Sequence, residues 1–183
     1  RTVELGARTR VAGVHVSGAV FRTELRDEIV FVRAGVPQAG YFANVDRTRR
    51  QGVELAASGR NAAWQWQASA SWLDATYRSP VVLPGPLSTP ESPNALQSGT
   101  RLAGLPRHTA KLAVDWHAAP AWTLGADVQA FGRQGVAGNE SGTRPELGVL
   151  PGFALLHARL RWQLTGRWRF HLRVHDLLER RLG

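Results

Sequence analysis

The sequence contains no cysteine and no methionine, and its single lysine is Lys111. Without cysteine the chain cannot form a disulfide framework, a cysteine-ligated zinc site, an iron–sulfur cluster or a thiol nucleophile. Because an intact reading frame starts with methionine, the arginine at position 1 predicts that the 183 residues are a fragment of a longer protein. No apolar run approaches the roughly 18 residues of a membrane helix, but β-strands cross a membrane with about 9–11 residues of alternating polarity.

The positive charge of the chain comes almost entirely from arginine. There are 23 basic and 14 acidic residues, which gives a net charge of +9. An excess made of arginine arises from a GC-rich genome as readily as from selection for an anionic partner, so it is weak support for nucleic-acid binding. Apolar residues make up 43% of the chain, which excludes wholesale disorder.

Alternation of apolar and polar residues is the main structural signal. Residues 64–72 (WQWQASASW) place the larger or apolar residues at even positions and the polar ones at odd positions. The same period of two recurs in 109–116, 123–130, 156–164 and 168–175. This period is typical of a strand with one apolar and one polar face, and a helical stripe fits none of these windows. The sequence therefore predicts an all-β fold.

Eight strands are predicted, and all ten prolines fall in the connections, because proline cannot donate to a strand ladder. The strands cover residues 2–10, 14–33 (bent near 26–27), 41–59, 62–77, 107–117, 121–132, 152–164 and 167–178. Short turns alternate with long loops, which cover 34–40, 78–106 and 133–151. An antiparallel up-and-down sheet would then carry its short turns at one rim and its long loops at the other, as outer-membrane barrels do.

Five of the seven tryptophans lie beside the short turns: Trp64, Trp116, Trp122, Trp162 and Trp168. A girdle of aromatic residues marks the level of the lipid headgroups, so we predict a transmembrane β-barrel, present here as a partial barrel. Its apolar face would meet lipid, and its polar face would line the lumen. Periodicity alone fits a second fold, a soluble basic β-sandwich that acts as an interaction module and buries the same tryptophans in its core.

Several segments resemble the C-terminal part of the barrel of TonB-dependent outer-membrane receptors. Residues 44–55 (NVDRTRRQGVEL) resemble the recurring N-V-x-x-T-R-x-x-G-V-E segment of that family. The other resembling segments are 105–109 (LPRHT), 138–140 (GNE), 150–153 (LPGF) and 176–181 (DLLERR), the last of which is similar to N-L-F-D-x-R-Y. Their order and spacing cover residues 41–183.

The resemblance implies a receptor whose complete barrel has about 22 strands, of which residues 1–183 would be the C-terminal portion. Its plug domain, its TonB-contacting segment and its closing strand are expected to lie outside this chain. It implies active uptake across the outer membrane of a Gram-negative bacterium, most often of a ferric siderophore or a related metal chelate. The implied partners are TonB, reached through the plug domain, outer-membrane lipid and the solute. No cofactor and no nucleic acid are implied.

Six basic residues on the last two predicted strands share the polar face: His157, Arg159, Arg161, Arg169, His171 and Arg173. Crowded arginines repel one another unless anions lie among them. The compensating anions are expected to be carboxylates of the plug domain or an anionic solute in transit, which makes these residues the candidates for plug or solute contact. Aromatic residues for stacking nucleic-acid bases are lacking on this face.

Catalysis and metal binding find no support in the sequence. The serines lack a G-x-S-x-G elbow. The acidic pairs Asp27–Glu28 and Asp176–Glu179 lack the partners of a catalytic site, so they are interpreted as solvated loop charges. His171 and His175 lie four residues apart, about 13 Å along a strand, and cannot jointly hold one metal ion. We therefore predict that the chain is not an enzyme.

Overall fold

The computed structural model describes residues 1–33, 40–85, 88–142 and 147–178. Its strands in chain order are β1 (Thr2–Val11), β2 (Val14–Arg33), β3 (Gly40–Arg60), β4 (Trp64–Tyr77), β5 (Val81–Val82), β6 (Ala95–Leu96), β7 (His108–Ala119), β8 (Trp122–Phe131), β9 (Gln134–Gly135), β10 (Val149–Leu150), β11 (Phe153–Gln163) and β12 (Arg169–Val174). Nothing helical in the described part has the length and apolarity needed to cross a membrane.

Eight of these strands form one antiparallel sheet in the order β1-β2-β3-β4-β7-β8-β11-β12. Every strand therefore pairs with the next long strand along the chain, which confirms the up-and-down arrangement predicted from the alternating connections. The four two-residue strands form two small ladders inside the long loops, β5 with β6 and β9 with β10. The strands β1 and β12 are the two edges of the described sheet.

Local chemistry explains the short turns. Ala12 and Gly13 have φ values of 48° and 85° between the paired Val11 and Val14, and positive φ at both central residues matches the twist of a tight hairpin. In the turn between β3 and β4, Oδ1 of Asn61 accepts hydrogen bonds from the amides of Ala63 and Trp64, at 2.9 and 2.7 Å.

The last strand is shorter than predicted. The prediction extended it to residue 178, whereas β12 ends at Val174. Asp176 has a φ of 52°, which breaks the extended backbone, and its amide donates to Nδ1 of His157 at 3.0 Å. The amide of Leu177 then donates to the carbonyl of Leu156 at 2.8 Å, so this segment stays attached to β11 after the ladder has ended.

The predicted bend in the second strand is present at Asp27, which has a φ of 54°. Asp27 interrupts the pairing of β2 with β3, and the alternation of faces changes there. Before it, Arg26 is exposed on the convex side; after it, Glu28 turns to the concave side, where it hydrogen-bonds with Thr48. Val45, opposite Glu28, is fully buried on that same side.

The buried core lies at the long-loop end of the sheet rather than between two layers. It consists of Val32, Val45, Ala75 and Tyr77 from β2–β4 and of Leu83, Leu96 and Leu102 from the loop that follows. Over the rest of the sheet the apolar face is open: Leu5, Leu55 and Leu172 keep 74, 56 and 60% of their surface exposed. A sandwich would cover this face with a second sheet, and the described residues contain none that does so.

Candidate functional site

The polar residues of the alternation form the concave face of the sheet. A groove of about 650 Å³ crosses this face from β1 to β8. Its polar lining residues are Arg8, Thr9, His15, Ser17, Ser58, Gln67, Ser69, Lys111, Asp127 and Gln129. Strand register aligns these side chains in rows, so that Ser58 lies opposite Gln67 and Asp127 lies opposite His157. The groove can therefore offer polar and charged side chains, interspersed with apolar residues such as Ala56 and Ala113, to whatever occupies the concave side.

Arg159 is held on the concave face by carboxylates from two neighbouring strands. Its Nε donates to Oδ1 of Asp115 on β7 at 3.0 Å, and its Nη1 donates to Oδ1 of Asp127 on β8 at 2.5 Å. All three side chains are about one-quarter exposed. Two charge-assisted hydrogen bonds with little solvent around them hold the guanidinium in place and join three strands.

Gly125 makes this arrangement possible. It lies directly between Asp115 and Arg159 in the cross-strand row. A Cβ atom built on Gly125 would lie 2.4 Å from Nε of Arg159 and 2.4 Å from Oδ1 of Asp115. Arg159 thus passes over β8 at the one position where no side chain stands in its way.

The structure brings the six predicted basic residues together on the concave side of β11 and β12. Arg159 lies opposite Arg173, Arg161 lies opposite His171, and Arg169 lies opposite Gln163. The sixth residue, His157, precedes Arg159 by two residues on the same face of β11, and its ring centroid lies 5.1 Å from that of His175.

The six residues differ in how their charge is compensated. Compensating anions were expected from outside the chain, and for Arg159 this expectation is wrong, because Asp115 and Asp127 of the same sheet supply them. Arg169 donates to the neutral side chain of Gln163 at 2.6 Å. Among the described residues, no carboxylate lies within 4 Å of Arg161, Arg169 or Arg173. These three keep their predicted capacity to bind an external anion.

A second ion pair on the concave face corrects the interpretation of Asp27–Glu28 as solvated loop charges. Glu28 belongs to β2, and its two carboxylate oxygens accept from Nη1 and Nη2 of Arg50 at 3.1 and 2.5 Å. Thr48 donates to the same carboxylate. The bend at Asp27 produces this contact, since it turns Glu28 toward the concave side. Glu179, from the other acidic pair, lies outside the described residues.

At the long-loop end, a buried amide connects two loops. Asn94 is 1% exposed, and its Nδ2 donates to the carbonyl of Leu83 at 3.2 Å and to Oε2 of Glu140 at 2.9 Å. The same oxygen of Glu140 accepts from the amide of Gly138 at 2.9 Å. The 138–140 segment noted in the sequence therefore ties the loop after β9 to the loop after β5. Only the three-dimensional structure identifies Asn94 as its partner.

Histidine and carboxylate groups do not assemble into a metal centre in the part of the chain that the structure describes. No group of three or more such residues has a metal-binding arrangement there. The neighbouring pair His157 and His175 is joined instead to the backbone, because Nδ1 of His157 accepts from the amide of Asp176.

The tryptophans near the short turns lie on the convex face, which is opposite to the groove. Trp64 stacks on Trp116 with ring centroids 5.6 Å apart, and Trp122 stacks on Trp162 at 5.0 Å. Trp168, which precedes β12, is 65% exposed. The five residues predicted as a membrane-interface girdle thus include two stacked pairs from neighbouring strands. Their contact with lipid headgroups stays a prediction.

A family model described as "TonB dependent receptor-like, beta-barrel" matches residues 1–177. The chain belongs to this family. Its eight-stranded antiparallel sheet is accordingly part of a β-barrel wall, with the apolar face outward and the groove on the inside. The alternative of a soluble β-sandwich is therefore wrong. Members of the family are outer-membrane receptors and transporters of Gram-negative bacteria and are not enzymes.

Solved structures of similar fold agree with this assignment. The siderophore receptor PiuA from Acinetobacter baumannii is 20% identical and the ferric yersiniabactin uptake receptor FyuA from Yersinia pestis is 23% identical, each with a TM-score of 0.71. Each alignment covers 98% of this chain and 24% of the other. The copper transporter OprC is 15% identical with a TM-score of 0.67, over 98% of this chain and 25% of OprC.

The chain spans about a quarter of the length of these three structures. At such identities the likeness shows the fold alone. The names of the three proteins refer to different cargoes, a siderophore, ferric yersiniabactin and copper.

Proposed function

We propose that this chain forms the C-terminal portion of the barrel wall of an outer-membrane receptor that takes up a scarce solute in a TonB-dependent reaction. The observation that supports this best is the contrast between the two faces of one sheet. The convex face is apolar and exposed, whereas the concave face carries a polar groove and uncompensated arginines. A sheet with a water-lined inside and a lipid-compatible outside suits a transport barrel.

In this proposal the solute is a ferric siderophore or a related metal chelate. Many such chelates are anionic, and the concave face offers cations at Arg161, Arg169 and Arg173 that no carboxylate of the described chain neutralises. The proposal extends to the partners: TonB engages the receptor through its plug domain, and energy from the inner membrane moves the plug. The loops beyond β4 and β8 would select the solute.

The three uncompensated arginines are proposed to contact carboxylates of the plug domain rather than the solute at its first capture. Arg161 and Arg169 flank the turn at residues 165–167, at the rim opposite the long loops, and Arg173 lies further along β12. A solute arriving from outside meets the long loops first. The arginines are therefore better placed to hold or release the plug than to recognise the solute.

The test uses the complete receptor with the double substitution Arg161→Gln and Arg169→Gln, and measures solute binding and uptake separately. Normal binding with reduced uptake supports the plug contact, whereas reduced binding would identify a solute site instead. If both stay normal, these arginines are solvated lumen charges and the proposal for them fails. Arg167→Gln, in the adjacent turn, is the control for removing a cation at the same rim.

A further inference from the structure

Three arginines lie side by side on the outer face of the barrel wall, beyond the end of its apolar band. Arg26 on β2 is paired with Arg47 on β3. The amide of Arg78 donates to the carbonyl of Arg47 at 2.8 Å, which continues the register of β3 and β4 by one residue beyond the pair of Thr48 and Tyr77. All three side chains are exposed. We call these three residues the outer arginine row.

The outer position of the row follows from the pairing. The inward side of β2 and β3 carries His15, Ser17 and Ser58, which line the groove. Counting in steps of two along each strand places Arg26 and Arg47 on the opposite side. Arg78 shares the side of its partner Arg47, because directly opposed residues of an antiparallel pair point to the same face.

The row lies just above the part of the wall that can contact hydrocarbon. The continuous apolar rows of the outer face end with Val20, Val53 and Trp72. A separate group of exposed apolar residues, Ile29, Phe31 and Phe42, lies beyond the outer arginine row. On β2 the first charged outer side chain after Val20 is that of Arg22. Arg26 follows four residues later, which is about 13 Å further along the strand. At a strand tilt of about 40° this corresponds to a height of about 10 Å above the first charge. Lipid headgroups occupy this level.

The charges closer to the apolar band are largely compensated. Glu24 binds Arg22 at 2.7 Å and Arg49 at 2.9 Å, and Asp74 lies 3.6 Å from Arg107. Glu24 and Arg49 belong to the row immediately below the outer arginine row. Arg22 and Asp74 belong to the row below that.

In the outer arginine row, only Arg47 has such compensation. Asp46 contacts Arg47 at 3.3 Å, but within the described ranges no carboxylate lies within 4 Å of Arg26 or Arg78. Like charges directly opposite each other destabilise a sheet. Since neighbouring strands are about 4.8 Å apart, the three guanidinium groups share a width of about 10 Å. An anion with several oxygen atoms would relieve this repulsion.

We propose that the outer arginine row binds phosphate groups of the glycolipid that forms the outer leaflet of the outer membrane. Guanidinium groups form bidentate hydrogen bonds with phosphate, and their long side chains can reach along the wall toward the headgroups. A solute inside the barrel cannot reach this face, whereas phosphorylated lipid surrounds the barrel at this height. The inference rests on the proposed orientation, with the long loops outside the cell, and adds a lipid site that the proposed uptake does not require.

The experiment compares the complete receptor with the double variant Arg26→Gln/Arg78→Gln. The matched control Arg60→Gln/Arg167→Gln removes the same charge from exposed positions at the short-turn rim. Each protein, purified in detergent, is titrated with bisphosphorylated lipid A, with dephosphorylated lipid A and with inorganic phosphate. Native mass spectrometry measures the bound lipid, and heat-modifiable gel mobility verifies that each barrel is folded.

We expect the affinity for bisphosphorylated lipid A to fall about tenfold in the Arg26/Arg78 variant and to stay unchanged in the control. Dephosphorylated lipid A should bind both proteins equally. Equal affinity of the variant and the unaltered protein for bisphosphorylated lipid A would overturn the proposal, as would displacement of that lipid by an equal concentration of inorganic phosphate. If the double variant does not fold, Arg26→Lys/Arg78→Lys replaces it, because lysine keeps the charge and loses the bidentate geometry. The affinity for bisphosphorylated lipid A should then fall by less than tenfold, and an unchanged affinity would overturn the proposal.

Solute uptake separates this inference from the proposed function. The Arg26/Arg78 variant should take up solute at the rate of the unaltered receptor, because the row faces away from the lumen. If the unaltered receptor neither binds nor takes up any chelate but retains phosphorylated lipid through these arginines, the proposed function fails and the lipid site stands.

Discussion

Replacing Gly125 with alanine should break the contact between Arg159 and Asp115. The added methyl group would lie 2.4 Å from the guanidinium Nε and 2.4 Å from the carboxylate Oδ1. Atoms that are not bonded cannot remain at such a distance, so one or both side chains must move. The substitution therefore acts on the ion pair without removing either charge.

The size of the effect follows from two opposing contributions. A hydrogen bond to a charged group contributes about 1.5–3 kcal/mol to the free energy of unfolding, and the contact between Arg159 and Asp115 is shielded enough for such a value. Alanine in place of glycine in a strand stabilises by about 0.5–1 kcal/mol, because it reduces the freedom of the unfolded backbone. We expect a net loss of about 1–2 kcal/mol for Gly125→Ala.

The assay is a double-mutant cycle with Arg159→Gln, measured by urea unfolding of the complete receptor from lipid bilayers. In the Arg159→Gln background the long guanidinium no longer crosses Gly125, and Asp115 is free to turn aside. Gly125→Ala should then be neutral or slightly stabilising, so the two substitutions should couple by about 2 kcal/mol. If Gly125→Ala has the same cost with and without Arg159, the glycine does not serve this contact and the reasoning is refuted.

Three further predictions concern the faces, the loops and the edges of the sheet. Leu160→Arg, on the outer face, should cost about 2–4 kcal/mol in bilayer unfolding, whereas Gln129→Arg, on the groove side, should cost little; equal costs would reverse the assignment of faces. Asn94→Ala should remove one of the two donors to Oε2 of Glu140, and with it the contact between the two loops, and so increase hydrogen exchange in both loops; unchanged exchange would show that the connection is unimportant. The isolated 183 residues should aggregate or bind detergent, because β1 and β12 expose unpaired edges; a monodisperse monomer with heat-modifiable mobility would contradict this.

Much of the wall could be predicted from the sequence because its two determinants are local. A period of two identifies a strand and assigns each residue to a face without reference to any other strand. Prolines and short turns then limit where each strand ends. For this reason the bounds of β1–β4 and of β7, β8 and β11 differ from the predicted ones by at most two residues. The end of β12 was missed because the backbone conformation of Asp176 decides it, and periodicity does not report φ.

The partners of the site residues could not be predicted, since they depend on register. The alternation correctly placed Arg159 on the polar face, and it placed Asp115 and Asp127 there as well. Nothing local indicates that these three side chains align across neighbouring strands, or that Gly125 leaves room for the contact. Without the register, the only compensation that sequence analysis could assign to Arg159 was an anion from outside the chain.

The bend at Asp27 shows why counting by twos fails beyond a backbone irregularity. Parity alone would leave Glu28 on the outer face with Arg26, where it could neutralise the outer arginine row. The positive φ of Asp27 turns Glu28 inward instead, and its carboxylate binds Arg50. One residue in a left-handed conformation therefore removes an acid from the outer face and supplies it to the lumen. The uncompensated charge of the outer arginine row, on which the proposed lipid site depends, is a direct consequence of this bend.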